Sequence, residues 1–283
     1  MVYLTVLFAE QEKPVIAVSN YPLQWVVETL VGDHAKVINL SKDLENPRVW
    51  VPDDEGLEIL KKAKLIVLQG GGYEIWAEDV EIPRGFDSTK AVTALFQAKR
   101  KVPHDNLERF YYLIEGRAWL DPLHFQLQVD AIRDELGQRL PELGTQVQWE
   151  ILKKKMSGIE KRFESTERLK KVRILTFEPV WEYTWGSAYG WMVKSPSLQE
   201  EPGIPQLSDQ VLEKLDTTIL SFPARMSISS QGTLPKAWRK RLQLRYNIWS
   251  VELNTAETQP PNGKDFETVM IENHKKLTAG FAK

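Results

Sequence analysis

Pro14-Val-Ile-Ala-Val-Ser-Asn-Tyr-Pro-Leu-Gln-Trp-Val-Val-Glu-Thr-Leu-Val-Gly-Asp-His-Ala-Lys-Val37 is the stretch that decides the fold class. It opens with a β-branched run, Pro14 to Val18, of the kind that forms a buried strand. Asn20 then stands just ahead of Pro22, a helix start with proline in the first turn. Leu23, Val26, Val27, Leu30 and Val31 follow at i, i+3, i+4, i+7 and i+8, which is one apolar helical face. Gly32-Asp33 ends the helix, and Val37 to Leu40 resumes as a strand. Strand, helix, strand in this order predicts parallel pairing within an α/β layer.

The same alternation continues outward. Gly56 to Lys64 reads as a short helix. Leu65-Ile-Val-Leu68 reads as a third strand and runs into Gln69-Gly-Gly-Gly72. Asp121-Pro122 opens a helix that carries Phe125, Val129, Ile132, Leu136 and Leu140 at helical spacing and closes at Pro141. From Leu143 to about Leu169 the chain reads as one long polar helix. Trp149, Leu152, Met156, Ile159 and Phe163 form a narrow stripe along it, as suits a helix that leans on other structure with one side. The alternation then restarts. Val172 to Thr176, Thr217 to Phe222 and Ser250 to Leu253 read as strands, Leu234 to Arg245 and Asp265 to Ala282 as helices. The expected architecture is α/β, with two lobes, each a central mostly parallel sheet flanked by helices, joined by one long rigid helix. Residues 13–142 form the N-terminal lobe, 143–170 the linking helix and 171–283 the C-terminal lobe.

Composition narrows the function. The 283 residues carry 37 Lys+Arg against 39 Asp+Glu, a net charge of −2 with a pI near 6.2, so no basic footprint for nucleic acid is present. There is no cysteine, which excludes disulfides, thiolate metal sites and a cysteine nucleophile, and leaves nothing to carry a cysteine-linked lipid. Only four histidines occur. No apolar run approaches the ~20 residues a membrane-spanning helix needs. Residues 1–12, apolar to Ala9 and polar afterwards, read either as the clipped tail of an export signal or as an N-terminal extension. Gly70-Gly-Gly72 lacks the spacing of a phosphate-binding loop and reads as a close turn at a strand end. No nucleophile-elbow or HExxH pattern occurs.

Several blocks, in order, resemble the solute-binding proteins of zinc and manganese ABC transporters. These are the Ser19 to Val37 block, Asn46-Pro-Arg-Val-Trp-Val-Pro52, Leu60 to Gly70 with Gly72-Tyr-Glu-Ile-Trp76, Arg117-Ala-Trp-Leu-Asp-Pro122, Glu178-Pro-Val-Trp-Glu-Tyr183 with Tyr189-Gly190, and Asn273 to Leu277. The resemblance covers about residues 14–282. It implies two α/β lobes bridged by a rigid helix, a ligand held in the cleft between them, delivery to an ABC permease in the membrane, a periplasmic location, a monomer and no catalysis. It also implies zinc or manganese as the ligand.

The implied metal-ligand positions fall on Arg48, Arg117, Glu178 and Asn254. Arginine has only donors and stays protonated, so it cannot ligate a cation. Of the four, Glu178 alone keeps a metal-ligating side chain. Two alternatives follow. Arg48 and Arg117 clamp an anionic solute by charge-assisted hydrogen bonds, with Glu178 and Asn254 orienting it. Or an internal Arg48–Glu178–Arg117 network closes the cleft in a sensor or adhesin-like interaction protein. A metal held by a shifted ligand set is a third alternative. Trp50, Trp181 and Tyr183 are expected to line the cleft.

Overall fold

The structure is a computed structural model that describes residues 12–44, 46–70, 73–80, 82, 85–87, 117–166, 169–181, 191–196, 206–260 and 263–281. The N-terminal lobe contains β1 (Val15–Val18), α1 (Tyr21–Val31), β2 (Lys36–Asn39), α2 (Asp54–Lys62), β3 (Leu65–Leu68), β4 (Gly85–Asp87) and α3 (Pro122–Arg139). A helix α4 (Gln146–Glu164) leads to the C-terminal lobe. That lobe contains β5 (Arg173–Thr176), β6 (Met192–Lys194), α5 (Asp209–Ser221), β7 (Met226–Ser230), α6 (Lys236–Tyr246), β8 (Trp249–Leu253) and α7 (Phe266–Phe281). Each lobe has one four-stranded sheet, ordered β2-β1-β3-β4 and β6-β5-β7-β8, and every strand pair is parallel. The expected two-lobed α/β architecture is therefore present.

Local chemistry starts the helices where the sequence places their caps. The Asn20 side chain accepts from the Leu23 amide, and Asp53 accepts from the Gly56 amide, so each satisfies an N–H that has no partner inside its helix. One segment departs from its local pattern. Thr217 to Phe222 is β-rich by composition, yet Thr217–Ser221 is the last turn of α5 and the strand begins only at Met226. Ser208 caps α5 by accepting from the Val211 amide, and Val211, Leu215 and Ile219 then form one apolar face packed on the sheet. A capped, packed amphipathic helix overrides the weak strand preference of threonine and isoleucine.

The stripe on α4 is the keel of the molecule. Trp149, Leu152, Met156, Ile159 and Phe163 are all buried, in one apolar core that contains Ile16 and Leu65 of the first sheet and Ile174 and Met226 of the second. Phe266, at the start of α7, adds a second tie. It packs between Trp25 (5.1 Å between ring centroids) and Phe125 (4.9 Å), both in the N-terminal lobe. A core shared this way resists wide hinge opening, because separating the lobes would expose it.

Candidate functional site

In parallel sheets of this kind, ligands meet the carboxyl ends of the strands, where the strand order reverses. In the N-terminal lobe these ends are Ser19-Asn20 after β1 and Gln69-Gly70 after β3. Gly70 has φ of 77°, a left-handed conformation that glycine adopts without a side-chain clash. The turn is held by Glu74, whose carboxylate accepts from the Gln69 amide (2.6 Å) and the Gly70 amide (2.9 Å). Glu74 is buried, and burial pushes its pKa from 4.5 up to about 7, against the opposing pull of hydrogen bonds from Ser19, Gly70 and Gln69.

The lobes meet at a charged cluster beside this turn. The Arg117 Nε donates to Glu257 Oε2 at 3.0 Å, with the two side chains only 17% and 10% exposed. The Tyr73 hydroxyl donates to the other oxygen, Oε1, at 2.9 Å. The Trp119 indole N–H donates to the Thr255 carbonyl at 2.7 Å, and the Tyr21 amide to the Glu257 carbonyl at 3.4 Å. Tyr73, Arg117 and Trp119 belong to the first lobe; Thr255 and Glu257 follow the last strand of the second. Burial and the adjacent Glu257 carboxylate push the Tyr73 phenol well above its usual pKa, so it stays a donor.

Glu257 is aimed by a special turn. Ala256 has φ of 54°, the left-handed region an alanine enters at a cost of about 1–2 kcal/mol. Asn254 pins it there, its side-chain oxygen accepting from the Ala256 amide at 2.7 Å. The Asn254 amide and carbonyl are in turn bonded to the side chain of Asn273 on α7, at 2.9 and 2.7 Å.

The candidate residues named from the sequence are distributed unevenly. Arg117 stands in the interlobe cluster. Arg48 lies on a short turn of 3-10 helix (Pro47–Val49), its guanidinium carbon 5.8 Å from the Tyr73 ring centroid. Glu178 is bonded within its own lobe, at the carboxyl ends of its strands. It accepts from the Ser230 hydroxyl (2.6 Å), the Ser230 amide and the Thr233 hydroxyl (3.3 Å), binding together the ends of β5 and β7. The expected Arg48–Glu178–Arg117 network is thus not formed among the described residues: Glu178 is committed to its own lobe, and the carboxylate on Arg117 is Glu257. Asn254 shapes the backbone of the turn. Trp181 is fully buried in the shared core rather than lining the cleft, because the single turn Pro179–Trp181 tucks it beneath the sheet end. Tyr183 lies outside the described residues. Trp50 meets Trp76 edge to face at 4.7 Å, and both line an apolar groove of about 620 Å³ in the N-terminal lobe, with Val49, Val51 and Ile75 at its rim and Arg48 in its wall.

Two members of the cluster, Tyr73 and Glu257, were not anticipated. A signal existed for the second: Glu257 is the only carboxylate between Leu253 and Lys264, directly after the last strand. The donors among the described residues of this cluster do not suit a divalent cation. Among the described residues no group of three or more His, Cys, Asp or Glu could hold a metal ion, and the interlobe carboxylate already carries a guanidinium.

Residues 16–280 match the family model of the periplasmic component A of zinc-uptake complexes, ZnuA. The chain belongs to this family. A putative metal-binding protein of Chlamydia trachomatis is 23% identical over 153 residues, an alignment that spans 51% of this chain and 53% of that relative. Among solved structures, the metal-dependent lipoprotein YcdH of Bacillus subtilis aligns over 95% of this chain and 99% of its own, with a TM-score of 0.75 at 17% identity. The periplasmic zinc-binding protein TroA of Treponema pallidum aligns over 96% and 100%, with a TM-score of 0.71 at 16% identity. Zinc-bound AdcA of Streptococcus pneumoniae gives 0.72 at 18% identity; the alignment covers 96% of this chain and 58% of AdcA. The family is one of solute-binding proteins, and these likenesses agree on its two-lobed fold.

Proposed function

We propose that the protein is the extracytoplasmic, periplasmic solute-binding component of an ABC-type uptake system, a monomer that delivers to a membrane permease and catalyses nothing, and that its interlobe site takes a small anion in place of a zinc or manganese ion. One observation carries this reading: Arg117, at a position where the family resemblance implies a metal-ligating histidine, holds a carboxylate from the opposite lobe. A guanidinium buried between lobes repels a divalent cation and recognises carboxylate or phosphate. Glu257 then stands in for the cargo. An incoming carboxylate or phosphate takes its place on Arg117 and near Arg48, and the Asn254–Glu257 turn withdraws. The apolar Trp50–Trp76 groove beside Arg48 suits the body of an organic anion.

A second reading is favoured by the same pair. Because Glu257 already satisfies Arg117 from within the chain, the cleft can be permanently latched, as suits a sensor or adhesin-like interaction protein.

Native mass spectrometry of gently purified protein, repeated with Zn²⁺, Mn²⁺, succinate and inorganic phosphate, separates these. An anion adduct lost in Arg117→Ala is expected. Glu257→Gln removes the internal competitor, whose charge-assisted bond is worth about 1.5–3 kcal/mol, and so raises anion affinity roughly tenfold to a hundredfold. A stoichiometric, chelator-sensitive metal adduct overturns the proposal. No anion bound by either the wild type or Glu257→Gln favours the latched reading.

A further inference from the structure

The C-terminal lobe carries a cation-rich end beyond Asp216 of α5. Between Thr217 and Trp249 the chain has six Lys/Arg and no Asp or Glu, in a protein whose net charge is −2. Arg239 and Arg245 of α6 are paired, with Glu252 and Asp216. Arg225, Lys236, Lys240 and Arg241 have no ion pair among the described residues. On the neighbouring strands, Arg173 and Lys194 add two more exposed cations. Both sit over a single ring, that of Phe222, at 6.0 and 5.8 Å from its centroid.

Register puts these groups together. Lys194 pairs with Leu175, two residues from Arg173, so both side chains leave the β5–β6 edge on the face covered by α5 and α6. The Arg225 amide donates to the Arg173 carbonyl, and the Trp249 amide to the Arg225 carbonyl, which places Arg225 in the same row at the amino ends of the strands. That end is opposite the interlobe cluster. The Asp216 carboxylate joins α5 to the end of α6 through Arg245 and Tyr246. Leu220, one turn past Asp216 on α5, is 84% exposed, and Leu244, next to Arg245 on α6, is 74% exposed.

Cations gathered in excess of the one carboxylate among them, Asp216, repel one another, and two large leucines in water gain nothing from exposure. An anionic surface with hydrocarbon beneath it relieves both. From this juxtaposition we infer that the α5–α6 face, with Arg173, Lys194, Arg225 and Lys240 around Leu220 and Leu244, docks on anionic phospholipid headgroups. Cations pair with phosphates while the leucines enter the boundary between headgroups and acyl chains. Because the face lies away from the Arg117–Glu257 cluster, docking there is independent of what the cleft holds, and the two proposals fail separately.

The test is cosedimentation of the full chain with phosphatidylcholine vesicles, with and without phosphatidylglycerol, at low and high salt. Binding is expected only with phosphatidylglycerol and is expected to weaken with salt. Arg225→Gln and Lys240→Gln should each lower the partition about fivefold, as expected for one cation near an anionic leaflet. Both residues are exposed and have no ion pair among the described residues, so the fold is expected to persist, checked by circular dichroism. Leu220→Ser with Leu244→Ser should weaken binding further, and Lys64→Gln on the other lobe should not. Equal binding to both vesicle types, wild-type binding by Arg225→Gln/Lys240→Gln, or retention on heparin without vesicle binding overturns the inference. The last outcome would assign the face to a soluble polyanion.

Discussion

The two lobes share one strand order, yet they use their strand-end carboxylates differently. In the N-terminal lobe Glu74 caps the Gln69 and Gly70 amides at the end of β3 and is fully enclosed. In the C-terminal lobe Glu178 caps the Ser230 amide and hydroxyl at the end of β7 and is only half-buried. Each acid organises its own lobe, and neither joins the two. That task falls to Glu257, on a turn that leaves the last strand and crosses to Arg117 and Tyr73. A carboxylate at a strand end therefore does not by itself join the lobes; what matters is whether its partners lie in the same lobe or the opposite one.

Breaking the crossing contact should have the largest effect. Arg117→Ala leaves the Glu257 carboxylate nearly buried without its cation and should cost about 3 kcal/mol or more in urea unfolding. Glu257→Ala should cost a similar amount. In the double variant the loss should be clearly smaller than the sum of the two; additive losses would show that the pair does not couple the lobes.

Glu74 should come next and is read by pH. The unfolded chain releases its proton near 4.5, the folded chain near 7. Between these values the folded state holds a proton that the unfolded state has lost. Stability from this group is therefore complete below pH 4.5, falls as pH rises, and levels above about 7, a total of roughly 3 kcal/mol. Thermal unfolding of Glu74→Gln across that window should lack this component of the slope. A slope identical to wild type would sink the assignment.

Glu178→Ala should cost less, about 1–2 kcal/mol, because water reaches this half-exposed carboxylate and its bonds to Ser230. The loss should appear as faster hydrogen exchange at the Ser230 amide, with Gln69 and Gly70 unchanged. Tyr73→Phe removes one hydrogen bond to Glu257 and should cost about 1 kcal/mol. Ala256→Gly should do the reverse and stabilise by up to about 1 kcal/mol, since glycine takes the positive φ without strain. If Ala256→Gly also loosens the hold on Glu257, the gain will be accompanied by tighter anion binding.

Much of the fold was legible because burial repeats with the period of the element. Leu65 to Leu68 reads as a buried strand and is one, and the Trp149 to Phe163 stripe faces the shared core residue for residue. Among the elements not anticipated, β4 and β6 are three residues long and too short for any period to emerge, while α5 and β7 were hidden behind the strand read at Thr217 to Phe222. Thr217 to Phe222 misled because threonine and isoleucine favour strands locally, while the helix they complete began nine residues earlier at the Ser208 cap. Of the site, Arg117 could be picked out in sequence through its family block. Its partner could not, since Glu257 is 140 residues away and meets it only through a left-handed alanine. Trp181 shows the converse: an aromatic within a family block reads as ligand-facing, yet the core claimed it.

The sequence by itself determined the class of fold and the linking helix, because strand and helix periodicity and apolar stripes are properties of residues and their spacing. Only the tertiary structure decided which carboxylate faces the buried guanidinium and which cations have none beside them among the described residues. Those depend on where two lobes close and how a single turn points, and a Coulomb interaction is set by distance in space, whatever the separation along the chain.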